Sequence, residues 1–183
     1  MNMTTRPRPQ VFEDLASWRQ HRQSIEGGVG FVPTMGALHA GHGSLLRRSV
    51  AENDVTVLSI YINPTQFNTD ADLQGYPQTL EEDLEVAQSL GVDYVILPTY
   101  AQIYPDDFRF QVDETHFSHE LCGKNRPGHF TGVLTVVMKL LNIVAPERAY
   151  FGEKDYQQLT LIQDMVAAFF MPVEIVPCPT VRE

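Results

Sequence analysis

Phe31-Val-Pro-Thr-Met-Gly-Ala-Leu-His-Ala-Gly-His42 is the stretch whose reading decides the fold. An apolar run (Val29, Phe31, Val32) ends at Pro33, and the small residues from Thr34 to Gly36 turn the chain. Two histidines follow three residues apart, where the periodicity of a helix begins. The pattern predicts a strand, a glycine-containing turn and a helix N-terminus, with both imidazoles over unpaired backbone N–H groups. Such a place suits a phosphate, because the free donors and the positive end of the helix dipole coincide there.

The flanking chain repeats this grammar. Apolar residues at helical spacing predict a helix over 11–25, closed by Gly27-Gly28. Val29–Val32 is the first strand and Ser44–Asn53 the first helix after it. Val55–Ile62 is almost wholly apolar or β-branched, as in a strand covered on both faces, and Pro64 takes the chain out of the ladder. A polar loop follows. Thr79 is expected to cap a helix with Glu82 completing a capping box, and Leu80, Leu84, Ala87 and Leu90 form its apolar face up to Gly91. Tyr94–Leu97 is a third strand. Phe108–Val112 alternates like an edge strand, and Thr115–Leu121 reads as a short helix. Val133–Val144 is a strongly apolar helix, Tyr150-Phe151 a fourth strand, Tyr156–Phe169 a helix and Val173–Val176 a fifth strand.

Strands alternating with helices predict an α/β fold with a parallel sheet and right-handed crossovers. Ligands of such sheets lie beyond the carboxyl ends of the strands, where the strand order reverses. Polar, chemically capable residues do cluster there. His39 and His42 follow the first strand, Asn63 and Gln66 the second, and Gly152-Glu-Lys-Asp155 the fourth.

Length and composition bound the remaining choices. One domain with a sizeable core is expected from 183 residues, 43% of them hydrophobic and 20% charged. A net charge of −10 argues against nucleic-acid or anionic-membrane binding, which needs a basic surface. Cys122 and Cys178 are too few for a disulfide framework or zinc site and are read as reduced. No stretch reaches the roughly 18 apolar residues of a membrane span, and MNMTTRPRPQ has no apolar h-region, so a cytoplasmic protein is expected.

The loop residues can be weighed one by one. His39-Ala-Gly-His42 lacks the Glu and the i,i+4 spacing of a zinc-protease helix, so a nucleotide-phosphate site competes there with a plain polar turn. Gly152-Glu-Lys-Asp155 is ordinary turn composition, but after an apolar strand its lysine could reach phosphates. Walker A and G-x-G-x-x-G patterns are both absent. Asn63 and Gln66 can bind hydroxyls and carboxylates without adding charge. Of Gln157 and Gln158, one should face the sheet edge and one the solvent. Arg126-Pro-Gly-His129 reads as a loop or as added positive charge near the pocket. Lys139 reads as a snorkelling side chain and Glu81-Glu82-Asp83 as a solvated helix face. No nucleophile-plus-base pair stands out.

Five ordered segments, PTMGALHAGH, INPTQF, DLQGYPQTLEEDL, CGKNRPGHFTGVLTVVMKLLNIV and AYFGEKDYQQL, together resemble the pantoate–β-alanine ligase (pantothenate synthetase) family from about Gly28 onward. The resemblance implies a Rossmann-like, doubly wound parallel sheet of the nucleotidyltransferase superfamily that carries the HIGH motif. It implies that ATP and pantoate give pantoyl adenylate with Mg2+ assisting, and that β-alanine then attacks to give pantothenate. Met35, Gly36, Ala37, Leu38, His39, Ala40, Gly41 and His42 would line the ATP site, with Gly152, Glu153, Lys154, Asp155 and Val181. His42, His39 and Lys154 would be catalytic, His42 as proton donor. Gln66, Gln158, Asn63 and Tyr76 would meet pantoate or β-alanine, and His129 would stand nearby; no metal-ligating residue is implied. A homodimer is implied as well. Gln78 stands where the family usually has an arginine. The family's KMSKS-like loop and C-terminal domain would follow Glu183, so 1–183 is expected to be the ATP- and pantoate-binding domain alone, with impaired turnover. Another HIGH-motif adenylyltransferase and a non-catalytic nucleotide-binding or dimerising module remain the alternatives.

Overall fold

Six parallel strands form one sheet in the computed structural model, which describes residues 5–182. In chain order the elements are β1 (Gln10–Phe12), α1 (Leu15–Arg22), β2 (Val29–Thr34), α2 (Ala40–Glu52), β3 (Val55–Ile60), α3 (Asp70–Gln74), α4 (Leu80–Leu90), β4 (Tyr94–Ile96) and α5 (Tyr100–Ile103). They continue with α6 (His129–Val144), β5 (Arg148–Gly152), α7 (Tyr156–Ala168) and β6 (Glu174–Cys178). The strand order is β1-β4-β3-β2-β5-β6, every pair parallel. From β2 the chain winds towards β3 and β4, and from β5 it winds the other way to β6. The order therefore reverses between β2 and β5, as the doubly wound expectation requires.

Alternation along each strand divides the core in two. Val29, Phe31, Val57, Ile96, Ala149 and Phe151 pack with α1, α6 and α7 on one face. Val32, Leu58, Val95, Tyr150 and Val176 pack with α2 and α4 on the other. Burying each large apolar side chain stabilises by roughly 1.5–3 kcal/mol. Helix α6 lies almost wholly inside. Its last carbonyls are satisfied by α1, with Trp18 Nε1 donating to Ile143 O and Arg22 to Val144 O and Ala145 O.

Several local expectations need correction. Residues 10–12 form an edge strand beside β4, and the helix begins only at Leu15 behind an Asp14 cap. Phe12 fits helical spacing with Leu15, so periodicity alone could not separate the two. Thr79 makes no capping hydrogen bond; its hydroxyl donates instead to Asp83. Phe108–Val112 is not a strand. Positive φ at Asp107 and Phe108 turns the chain there, and Val112 N–H donates to Thr135 on α6 rather than to the sheet. The short helix expected at 115–121 is a 3₁₀ turn, Phe117–His119, nucleated by Glu114, whose carboxylate accepts N–H groups of His116, Phe117 and Ser118. Asp70–Gln74, expected as loop, is a short helix capped by Thr69.

Candidate active site

The two histidines cap their own helix. His39 is the N-cap of α2, and its Nδ1 accepts the Gly41 N–H at 3.0 Å. His42 Nδ1 accepts the His39 N–H at 3.3 Å. The rings lie 4.1 Å apart. Each neutral ring that accepts at Nδ1 carries its hydrogen on Nε2, which is left free to donate away from the helix. A methyl group at Gly41 would come within 2.7 Å of the His39 ring, so only glycine lets that ring fold back onto the helix start. Burial and the adjacent His39 push the His42 pKa down to about 4, against a smaller opposing pull from Asp83. His42 is therefore a neutral hydrogen-bond donor at pH 7.

What holds the preceding turn is Asp83. It was expected on a solvated face, and its neighbours Glu81 and Glu82 are indeed exposed, but Asp83 is 3% exposed. Its carboxylate accepts the N–H of Ala37 at 3.0 Å and of Leu38 at 2.8 Å, as well as the Thr79 hydroxyl at 3.2 Å. Gly36 and Ala37 both take positive φ, +83° and +50°. The acid fixes this turn and thereby aims α2. Leu80, expected on the apolar face of α4, is instead exposed, and the buried stripe is Asp83, Leu84 and Ala87; Asp83 lies four residues before Ala87, which is where the signal lay.

Beyond β3, a 3₁₀ turn (Pro64–Gln66) carries the second set. Asn63 is 1% exposed and uses its whole amide inside the protein. Its oxygen accepts from Tyr104 Oη at 2.7 Å and Thr65 Oγ1 at 3.0 Å. Its nitrogen donates to Gln66 Oε1 and to Gly132 O, each at 3.2 Å. That leaves Asn63 as a holder of Gln66 rather than a ligand contact. His129 Nδ1 donates to Gln66 O at 2.7 Å, and burial lowers the His129 pKa. Gly132 makes this packing possible: a methyl there would sit 2.5 Å from Thr65 O and 2.8 Å from Gln66 N.

Beyond β5, Gly152 to Asp155 leads into α7. Glu153 N–H is tied to Cys178 O at 2.8 Å, and the Lys154 and Asp155 side chains are exposed. Lys154 forms no ion pair among the described residues. The two glutamines divide, though not between sheet edge and solvent. Gln157 is buried and clamps the 117–122 segment through Phe117 O, Glu120 O and Cys122 N, while Gln158 is half-buried. Val181 is exposed just past β6. Tyr76 packs edge-on against Phe67, 6.0 Å between centroids, and burial together with the charge of Asp83 raises its pKa.

Parallel pairing brings the loops after β3, β2, β5 and β6 to one end of four contiguous strands, astride the reversal point. A cavity of about 260 Å³ adjoins this end, lined by Met35, Gly36, Tyr61, Gln78, Thr79 and Asp83 among others. It touches the His39/His42 turn from the α4 side but not Gln66, Gln158 or Lys154, so it is a neighbour of the loop site and not the whole of it. Lys139, read as snorkelling, is anchored instead, with its ammonium 2.8 Å from Asp106 and 3.0 Å from Ile103 O. Among the described residues no group of three or more His, Cys, Asp or Glu could hold a metal ion, and no helix is long and apolar enough to cross a membrane.

Comparison with known proteins bears directly on this arrangement. The family model for pantoate-beta-alanine ligase matches residues 10–183. Pantothenate synthetase of Bdellovibrio bacteriovorus is 55% identical over 174 residues, covering 95% of this chain and 69% of that one. The enzyme of the same name from Legionella pneumophila strain Lens is 55% identical over 176 residues, covering 95% and 70%. The crystal structure of pantoate-beta-alanine ligase from Francisella tularensis, complexed with beta-gamma ATP and beta-alanine, superposes with a TM-score of 0.93 at 44% identity, over 96% of this chain and 68% of that one. Sequence, sheet order and structural likeness agree: the chain belongs to the pantoate–β-alanine ligase family.

Proposed function

We propose that the chain acts as one ATP- and pantoate-binding domain and joins the two into pantoyl adenylate, from which β-alanine displaces AMP to give pantothenate. The observation that carries this reading is the mutual capping of His39 and His42. It turns two Nε2–H donors and the start of α2 outward at the strand-reversal point, where growing phosphate charge would be met by preorganised donors.

In the first step a carboxylate oxygen of pantoate attacks the α-phosphorus, the bond to the β-phosphate breaks, and pyrophosphate leaves. No protein nucleophile is needed; neutralisation and alignment are. His39, His42 and Lys154 contact the phosphates. Met35 to His42, Gly152 to Asp155 and Val181 enclose the nucleotide. Facing the phosphates, the neutral His42 ring donates its Nε2–H to the departing pyrophosphate and meets the charge that grows there, while its Nδ1 keeps the His39 N–H. Gln66 and Gln158 hold pantoate, Asn63 orients Gln66, and Tyr76 borders the entrance. In the second step the β-alanine nitrogen attacks the acyl carbon, loses a proton, and AMP leaves with the former carboxylate oxygen. Magnesium would accompany the triphosphate, held by its oxygens and by water. The described residues offer no cage for a protein-held ion, and no step is assigned through one.

A cytoplasmic homodimer completes the reading on the family resemblance, with sedimentation as its check. For the 183 residues taken alone we propose a turnover below that of the longer relatives, of which they cover 69% and 70%.

The test is exchange of labelled pyrophosphate into ATP. Exchange that requires pantoate is expected. Exchange independent of pantoate would instead show another HIGH-motif adenylyltransferase, and ligand binding without exchange a non-catalytic module.

A further inference from the structure

Tyr104 belongs to none of the strand-end loops, yet it is locked in place and ends on them. It is 2% exposed. Its ring lies 4.9 Å from that of Tyr100, tilted by 39°, and meets Phe108 edge-on at 5.5 Å. The Lys139 ammonium lies 4.5 Å from the ring centroid, itself tied to Asp106 and Ile103 O. The hydroxyl is thereby delivered to Asn63 Oδ1 at 2.7 Å, with Thr65 Oγ1 3.2 Å away. Burial pushes the phenol pKa up to about 12, which keeps the group protonated and a donor at any working pH.

The orientation of both neighbouring amides, Asn63 and Gln66, is then forced. Gly132 O is a main-chain carbonyl and can only accept, so the nitrogen end of the Asn63 amide must face it. The oxygen end is left for the Tyr104 and Thr65 hydroxyls, and the second N–H of Asn63 points at Gln66. Gln66 must answer with Oε1. Its own NH2 group, which has no hydrogen-bond partner among the described residues, is the end left for a ligand.

We propose that Tyr104 is a positioning residue that, with Thr65, holds the oxygen end of the Asn63 amide whose nitrogen end Gly132 O fixes, so that Gln66 stays turned with its NH2 group to the site and selects a ligand oxygen, carboxylate or hydroxyl, at that point. The proposal rests on the reading of Gln66 as a pantoate contact. It makes the discrimination chemical: a site built to donate rejects a ligand that brings a donor, because two N–H groups are then left facing each other.

The experiment is calorimetric titration of pantoate, in the presence of a non-hydrolysable ATP analogue, into the chain and its Tyr104→Phe, Gln66→Ala and doubly substituted forms. Phe keeps the ring and removes only the hydroxyl. Tyr104→Phe is expected to weaken pantoate binding about 3- to 10-fold, the range of one net hydrogen bond, with affinity for the ATP analogue unchanged. In the Gln66→Ala background it should cost nothing further, since there is no amide left to orient. Thr65→Ala, which removes the other donor to Asn63, should act in the same pantoate-selective direction and serves if Tyr104→Phe does not fold. Gln66→Ala weakening pantoate while Tyr104→Phe does not would overturn the proposal and leave the pantoate reading standing. So would equal losses for pantoate and ATP analogue, or a Tyr104→Phe effect that persists without Gln66, either of which marks a merely structural role. A Gln66→Ala form that binds pantoate normally would remove the underlying reading, and the proposal with it.

Discussion

Replacing Asp83 by Asn should loosen the turn that aims both histidines. The carboxylate accepts two main-chain N–H groups, at 3.0 and 2.8 Å, and the Thr79 hydroxyl at 3.2 Å, from a side chain 3% exposed. Asn has the same shape but one acceptor oxygen. Its NH2 group must then face one of those N–H groups, so a hydrogen bond is lost and a buried donor is left unpaired. The cost is about 2 kcal/mol, within the 1–3 kcal/mol range for an unsatisfied buried group. For a chain of this size that lowers the melting temperature by about 4–8 °C. The turn through Gly36, with its costly positive φ at Ala37, then has less to hold it. As the ordered turn becomes less populated, apparent ATP affinity falls with it, by up to about tenfold. Thermal melting and ATP calorimetry read the two effects, with exposed Glu82→Gln as a control that should change neither. An Asp83→Asn protein that melts within about 1 °C of the parent and binds ATP normally would refute the reasoning.

Other perturbations separate the parts of the site. Gly132→Ala puts a methyl 2.5 Å from Thr65 O, so the turn must retreat by about 1 Å at a cost of about 1–3 kcal/mol; pantoate affinity should fall more than ATP affinity in calorimetry. The His42 pKa is depressed from 6.5 to about 4, so between those values the unfolded chain binds more protons than the native one. Stability should therefore be intact above pH 6.5 and decline as the pH falls through 4, by at most about 3 kcal/mol from this group, and melting curves of His42→Gln should show a shallower decline. Lys154→Ala should leave the melt within about 0.5 kcal/mol of the parent yet weaken ATP binding, because the side chain is exposed and forms no ion pair among the described residues.

Much of this was legible in the sequence where local rules and tertiary demands coincide. Val55–Ile60 and the Val133–Val144 stretch have one reading each, and the strand-turn-helix at Val29–His42 announces itself. Candidate site residues were named because parallel sheets put chemistry after strands, and the structure does place His39, Gln66 and Lys154 after strands. The features that were missed depend on partners far along the chain. Asp83 looked like a third member of an acidic surface run; its burial is set by the turn 46 residues earlier. Tyr104 sits in a stretch without periodicity, and its link to Asn63 spans 41 residues. Asn63 was read as a ligand contact and not as fully engaged within the protein, since an amide's partners leave no trace in its neighbours. The edge strand at 10–12 is too short for either period to show.

The most direct test follows oxygen. Pantoate labelled with 18O in its carboxylate, supplied with ATP and β-alanine, should give AMP carrying one labelled oxygen and pantothenate carrying the other, because adenylation places a carboxylate oxygen on the α-phosphorus. Label appearing in inorganic phosphate, with ADP as the companion product, would mean attack at the γ-phosphorus and would contradict pantoyl adenylate formation at the His39/His42 turn.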